Sequence, residues 1–299
     1  MIPAKLRGKR TIENAIFLLP ACLLILLFKY IGLFYSLYIS FTKYTGLGQA
    51  KWIGLSNYKV VFDYDIWWLS LRNVGEYVLL FLPIVIVLGF ILALILNKDI
   101  KGKNLFRTIH FAPMAMSLVA MAFIFKMLMG KAFGPIPQLL RLLHLPVIDL
   151  LNDPKWAMKG VVLMMIWQGV GFRMIIFLAG LQSINSEFYD AARIDGATAM
   201  QEIRYITIPM LRPTILLLTI TGLIGAMQLF DPVLVLPPEA AQPGAPGNAL
   251  QVPVLVIYNN AFAYAKFGLA CALSFVLFLI MLVFTMLQAK VGRLESGIE

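Results

Sequence analysis

Long apolar runs separated by shorter polar stretches organise this chain, and the lengths of the runs decide what they are. Val74 to Leu96, Ile109 to Met129, Gly160 to Leu181, Thr214 to Leu236 and Phe267 to Ala289 are each long enough to cross a hydrocarbon core as helix, which takes about 20 residues for roughly 30 Å. Unpaired backbone amides are too costly in lipid for an open irregular crossing, so helix is the predicted state of all five. A sixth run stands at the front. KLRGKR followed by IFLLPACLLILLF has the basic and apolar regions of a signal peptide. However, the apolar character resumes after Lys29 through YIGLFYSLYISF, and no small-x-small cleavage site follows. The segment reads as a retained span, since its removal would leave the chain ends on opposite sides of a membrane. The pattern predicts a single membrane domain over residues 1–299, with spans at about 12–40, 74–96, 107–129, 158–182, 212–236 and 266–290.

The connections differ in kind. Residues 41–72 carry Trp52, Trp67, Trp68 and several tyrosines, which suits an interfacial belt and a short helix along the membrane surface. Residues 130–158, broken by Pro135, Pro137, Pro146 and Pro154, read as short helices and turns, and PPEAAQPGAPGNALQVP (237–253) is the clearest irregular loop. The segment EFYDAARIDGATAMQEIRYITIP (187–209) is charged, alanine-rich and helix-prone between two apolar runs. Glu187 to Arg193 has no glycine, proline or β-branched residue, and Asn185 or Ser186 caps it. Gly196 ends that helix as a left-handed residue, Thr198 with Gln201 starts a second one as a capping box, and Pro209 closes it. Ala191, Ala192 and Ala197 leave little bulk around the corner. A surface for close docking of another protein follows, and so, on periodicity alone, does an amphipathic segment resting on lipid through Phe188, Ile194, Ile203 and Ile206.

Composition agrees with a membrane protein: 61% of residues are hydrophobic and 13% charged, with a mean hydropathy of +0.85, outside the range of soluble domains. Basic residues set the orientation. They gather at Lys5, Arg7, Lys9 and Arg10, at Lys98, Lys101, Lys103 and Arg107, at Arg193, Arg204 and Arg212, and at Lys290 and Arg293, while the longer alternate loops hold fewer. Both termini and segment 187–209 are therefore expected in the cytoplasm. The net charge of +10 then reflects topology and anionic lipid, and makes no case for nucleic acid. Cys22 and Cys271 both fall in spans, so no disulfide framework exists. His110 and His144 lie on different segments, no metal-ligand spacing occurs, and Asp63 with Asp65 reads as an interfacial turn. No catalytic constellation or metal site is expected.

Segment 187–209 resembles the EAA loop of permease subunits in binding-protein-dependent ABC importers. The pattern is carried by Asp190, Ala191, Ala192, three residues, Gly196, nine residues, then Ile206, Thr207, Ile208 and Pro209, with Asp190 in place of Glu and Ile208 in place of Leu. WQGVGFRMIIFLAGLQSINSEFYDAARIDGAT, MQLFDPVLVL and FGLACALSFVLFLIMLV resemble the carbohydrate-import, maltose-type branch. The usual Thr-x-Gly-Gly-Pro after the fifth span is replaced by a longer proline-rich loop. The resemblance implies an all-α polytopic protein with six transmembrane helices in the type I ABC importer permease fold, in a bacterial or archaeal inner membrane. It implies ATPase coupling through Glu187, Asp190, Ala191, Ala192, Asp195, Gly196, Ile206 and Pro209. It also implies an assembly with a second related permease, two ATPase subunits and an external solute-binding protein. No Gly-x4-Gly-Lys-Ser/Thr loop occurs, so this chain is expected to be non-catalytic and to bind no cofactor, with ATP and Mg handled by the ATPase partners.

For the solute, a sugar, oligosaccharide or polyol, the fourth span offers Met165, Gln168 and Gly169, with Trp167 adjacent. Aligned positions of the maltose-type permeases point to Met114 and Leu118, with Ser117 as polar neighbour, and to Gly222, Ala226 and Leu229 near Gln228. Gln168 and Gln228 equally serve as bonds between helices, and Gly169, Gly222 and Gly225 as places for close packing. Asp231 reads as a cap or gate. Arg173, near the centre of an apolar helix, needs a cavity, an anionic solute such as a glycerol phosphate, or an acid on a partner. Lys29 and Lys126 stand nearer span ends and snorkel. An ion-coupled secondary transporter would share the six spans but has no use for a docking loop.

Overall fold

A computed structural model describes residues 17–237 and 242–296. The basic residues Lys5, Arg7, Lys9 and Arg10 and the first residues expected in the opening span, 12–16, lie outside the described residues, as do Pro238 to Ala241.

From the amino end, α1 (Phe17–Ser40) contains a π-turn at Leu26–Tyr30. A small hairpin pairs β1 (Thr42–Lys43) antiparallel with β2 (Lys51–Trp52) and leads to α2 (Ser56–Phe62). Helix α3 (Asp65–Asn97) has Pro83 inside it. Helix α4 (Lys103–Phe111) runs into a 3-10 turn (Ala112–Ala115), and the chain bends by 102° before α5 (Leu118–Met129). Then come α6 (Pro135–Leu142), α7 (Pro154–Gln182), α8 (Glu187–Ile194), α9 (Ala199–Glu202), α10 (Arg212–Met227), α11 (Asp231–Val235), α12 (Pro253–Tyr258) and α13 (Phe267–Ser296). Among the described residues, five helices are long and apolar enough to cross a membrane, or six crossings if the bent pair counts as one span.

The bend interrupts the run that hydropathy reads as continuous from 107 to 129. Pro113 brings no amide proton to the ladder, and Met116 and Ser117 adopt extended backbone, with ψ of 147° and 131°. The fifth crossing is also broken: α10 stops at Gln228, Phe230 takes φ −144° and ψ −65°, and α11 restarts with Pro232 in its first turn. By contrast α7 begins cleanly, because the Asp153 carboxylate accepts from the Lys155 amide at 2.9 Å and Pro154 occupies the first helical position.

The described residues group into two compact units. In the first, residues 1–64 with 257–276, the end of α1 is tied to the hairpin and α2. Phe41 stacks on Trp52 with ring centres 5.4 Å apart, the Ser40 and Tyr58 hydroxyls pair at 2.7 Å, and Asn57 Nδ2 donates to the Ser40 and Thr42 carbonyls at 2.8 and 2.9 Å. Trp52 stays exposed, as an interfacial aromatic does.

The second unit covers residues 65–256 and 277–299. Trp67 belongs to it and is fully buried, so it is packed inside the protein and does not face a membrane surface as the belt reading had it, while Trp52 and Trp68 are exposed. Helices α3 and α7 approach with little between them. A Cβ added at Gly89 of α3 would stand 2.8 Å from Arg173 Cβ, and Gly171 lies directly against the His110 carbonyl of α4. A core of Ala93, Leu96, Met174, Phe177, Leu178, Leu181, Leu211 and Leu218 joins α3, α7 and α10. The irregular loop after α11 is packed where it is described: Leu250, Gln251 and Val252 are buried, and Asn73 Nδ2 donates to the Asn248 and Gln251 carbonyls at 2.8 and 2.9 Å. Lys126 of α5 donates to the Pro237 carbonyl at 2.7 Å, so its ammonium caps the end of the fifth crossing. In the loop before α7, partial burial opposes ionisation of Asp149, but amides of Asn152 and Leu151 and the Lys131 ammonium hold its carboxyl below the usual range.

Gly171→Val puts a branched side chain where the His110 carbonyl already sits, at a cost of about 1–3 kcal/mol for overpacking. It should lower the thermal midpoint of the purified protein in detergent. Gly225→Ala, with nothing within 4 Å of its added carbon, should leave that midpoint unchanged.

Candidate functional site

The polar segment after α7 folds into a corner held from within. The Asn185 side-chain oxygen accepts from the Glu187 amide at 3.1 Å and starts α8, while Ser186 makes no side-chain cap. Gly196 takes φ +78°, and the Ala197 amide reaches back to the Ala192 carbonyl at 2.9 Å, closing α8 in a Schellman-type turn. Thr198 and Gln201 then form a reciprocal capping box: Gln201 Oε1 accepts from the Thr198 amide at 2.7 Å, and Thr198 Oγ1 from the Gln201 amide at 3.4 Å. Helix α9 continues through a π-turn (Ile203–Thr207) and a last turn (Ile208–Met210). Pro209 sits within that last turn, and the helix breaks at Leu211 before α10 begins. The helix ends one residue after Pro209, close to where the sequence reading ends it, and Pro209 brings no amide proton to that last turn.

Two cross-links lock the arms of the corner. Arg193 Nε donates to Glu202 Oε1 at 3.0 Å while Nη1 lies 3.5 Å from Asp190, and the Tyr189 and Thr207 hydroxyls meet at 3.0 Å. The hydrogen-bonded Glu202 carboxylate raises the proton affinity of Arg193 above its ordinary value. The outer side of the corner is left bare: Glu187, Asp190, Ala191, Asp195 and Gly196 are exposed, Ala192, Ile206 and Pro209 half-buried, and Phe188, Ile194, Met200 and Tyr205 present apolar surface. Its base is the opposite. Leu181 and Leu211, the residues on either side, both belong to the α3–α7–α10 core, and an added carbon at Gly180 would lie 2.8 Å from Leu211 Cδ2 and 3.0 Å from Thr214 Oγ1. The corner thus combines a closely packed foot with an open face.

A second cluster lies at mid-height of the same helices. Arg173 leans back along α7, as helical side chains do, so that Nη1 donates to the Gly169 carbonyl at 3.1 Å. Its guanidinium carbon stands 5.2 Å from the centre of the Phe81 ring, and Nη2 lies beside Gly222 of α10. Tyr77, fully buried, stacks on Phe81 with centres 5.1 Å apart. The cluster thus joins Arg173, Gly169 and Gly222 from the sequence reading with two residues it missed, Tyr77 and Phe81. Their i, i+4 aromatic pair on the second span was the available signal, though pairs of that kind usually mean packing.

The other sequence candidates scatter. Met165 is half-buried one turn from Gly169 on the same stripe of α7, and Gln168 is half-buried beside it. Trp167 points elsewhere: it is half-exposed and rests on Phe125 of α5, ring centres 5.5 Å apart. Met114, Ser117 and Leu118 sit at the bend between α4 and α5, and Gln228 and Leu229 at the break after α10, with Ala226 and Leu229 buried and Gln228 exposed. Among the described residues no group of His, Cys, Asp and Glu is placed to hold a metal.

Comparison with known proteins gives a consistent picture. Residues 85–294 match the model of the binding-protein-dependent transport system inner membrane component. A probable ABC transporter permease protein of Pyrococcus horikoshii is 35% identical over 271 residues, covering 90% of this chain and 91% of that one. The lactose transport system permease protein of Rhizobium radiobacter is 34% identical over 94% of both chains. Among solved structures, a bacterial ABC transporter involved in import of the acidic polysaccharide alginate superposes with a TM-score of 0.82 at 25% identity, over 95% of this chain and 96% of that one.

If Arg193 and Glu202 act as one clip, Arg193→Ala and Glu202→Ala should each speed protease cleavage around Asp195–Thr198. The double variant should be cleaved no faster than the quicker single one, because both remove the same bond; additive acceleration would show that the two side chains act separately.

Proposed function

Since the chain belongs to the family of binding-protein-dependent transport system inner membrane components, we propose that it is the membrane-spanning, non-catalytic permease subunit of an ATP-driven importer for a sugar or oligosaccharide. Relatives that handle lactose and alginate support the cargo class. The observation that carries the mechanism is the corner at Gly196: an open, cross-linked pair of short helices whose foot is part of the α3–α7–α10 core.

In this reading the corner, with Glu187, Asp190, Ala191, Ala192, Asp195, Gly196, Ile206 and Pro209, docks into a cleft on an ATPase subunit at the cytoplasmic face, where both chain termini also lie. ATP with Mg is bound and hydrolysed there, in two ATPase partners. Their closure pushes the corner, and the push travels along α7 and α10 into the membrane region as a rigid-body rotation against a second, related permease. An external solute-binding protein delivers the cargo. The breaks at Ala112–Ser117 and Gln228–Phe230 interrupt the helical ladder inside two apolar runs, and irregular backbone at such depth belongs against protein or a watery path. Residues at or near those breaks (Met114, Ser117, Leu118, Ala226, Gln228, Leu229) and on the α7 stripe (Met165, Gln168, Gly169) line the route of the solute.

A bulky residue at Gly196 breaks the corner by forcing a branched side chain into left-handed backbone, at about 1–2 kcal/mol, while nothing within 4 Å crowds it. Gly196→Val should therefore leave the chain in the membrane and the assembly intact, but abolish solute-stimulated ATP hydrolysis and uptake in proteoliposomes. Uptake at the normal rate by that variant defeats the docking reading.

A further inference from the structure

The guanidinium of Arg173 is a cation well inside an apolar helix, with no carboxylate among the described residues to meet it. Ion pairs elsewhere join Lys103 with Asp99, Lys131 with Asp149, and Arg193 with Asp190 and Glu202, all outside the apolar runs. Glu76, next to Tyr77 in sequence, is exposed on a different side of α3. What surrounds Arg173 is instead a slot cleared by glycines from three helices. An added Cβ would stand 2.8 Å from Arg173 Cβ at Gly89, 2.7 Å from Nη1 at Gly169 and 3.2 Å from Nη2 at Gly222. A cation that merely had to be tolerated would snorkel toward an interface; this one is given a place.

The slot also has more donors than acceptors. Nη1 takes the Gly169 carbonyl, but the enclosed Nε has no partner, and neither has the buried Tyr77 hydroxyl, which lies within electrostatic reach of the guanidinium. Unmade hydrogen bonds of this kind are costly in an apolar setting, and the group that answers them is an anionic oxygen acceptor. We propose that Arg173 is the subsite for a negative charge on the cargo, and that the transported saccharide is an acidic sugar bearing a carboxylate. This rests on reading the chain as a sugar-importer permease. The planar fork of the guanidinium donates two parallel hydrogen bonds to a carboxylate. A carboxylate also balances the single cation, whereas a doubly charged phosphate would leave net charge in the apolar slot.

The test uses the whole importer, with its partner permease, ATPases and binding protein, in proteoliposomes, and compares uptake of a labelled trisaccharide carrying one uronate unit with that of neutral maltotriose. The wild type should carry the uronate. Arg173→Met should lower uronate uptake about tenfold or more, the scale of a lost charged hydrogen bond, without lowering uptake of the neutral sugar, and Arg173→Lys should keep part of it. If Arg173→Met does not assemble, Tyr77→Phe decides: a selective drop in uronate uptake upholds the proposal and unchanged uronate uptake overturns it. Wild-type transport of the neutral sugar alone, or equal loss of both sugars in an assembled Arg173→Met complex, overturns the acidic-cargo proposal while the permease reading stands. Failure to carry either sugar removes the permease reading as well.

Discussion

The close approach of α3 to α7 governs the rest of the second unit. In lipid the gain from burying apolar side chains between helices is small, so association depends on packing and on small residues that let backbones come near. Gly89 and Gly169 supply that nearness on the two facing helices, and Gly171 extends it to α4. Once those contacts are set, Arg173 has one direction to run, along the seam toward Phe81, and α10 is held by Gly222 at the guanidinium and by Leu211 and Thr214 against Gly180. The mid-membrane cluster and the foot of the corner are therefore two levels of one packing arrangement.

What the sequence made legible follows from how local each signal is. The corner was readable residue by residue, because a left-handed glycine and the Thr198–Gln201 box act within a few positions of chain. Arg173 announced itself through cost alone, a charge amid apolar neighbours. Its companions Tyr77 and Phe81 did not, since what brings them to Arg173 is the glycine seam and no property of their own run. Hydropathy likewise could not see the bend at Ala112–Ser117 or the break at Gln228–Phe230, because it counts side chains and both breaks are events of the backbone. Trp67 misled for a related reason: tryptophan favours interfaces on average, but at this position tertiary burial wins.

The two broken crossings and the unbroken α3 and α7 divide the labour of the membrane region. Continuous helices with a glycine seam make a stiff frame. Discontinuous ones place backbone polar groups at a depth where hydrocarbon cannot solvate them, and at the end of the fifth crossing Lys126 from the neighbouring helix donates to the Pro237 carbonyl. Stiffness and local polarity are thus assigned to different segments.

The corner at Gly196 stands on two stems that share a core, with Leu181 buried at the end of one and Leu211 at the start of the other. Its own arms are cross-linked by Arg193 with Glu202 and by Tyr189 with Thr207. Mechanically this is a short crank with little compliance. A sideways load on its tip has few soft joints in which to be absorbed, so displacement at the tip becomes torque on α7 and α10 together. The same contacts act in reverse: a twist of those helices moves the foot of the corner, and with it the tip.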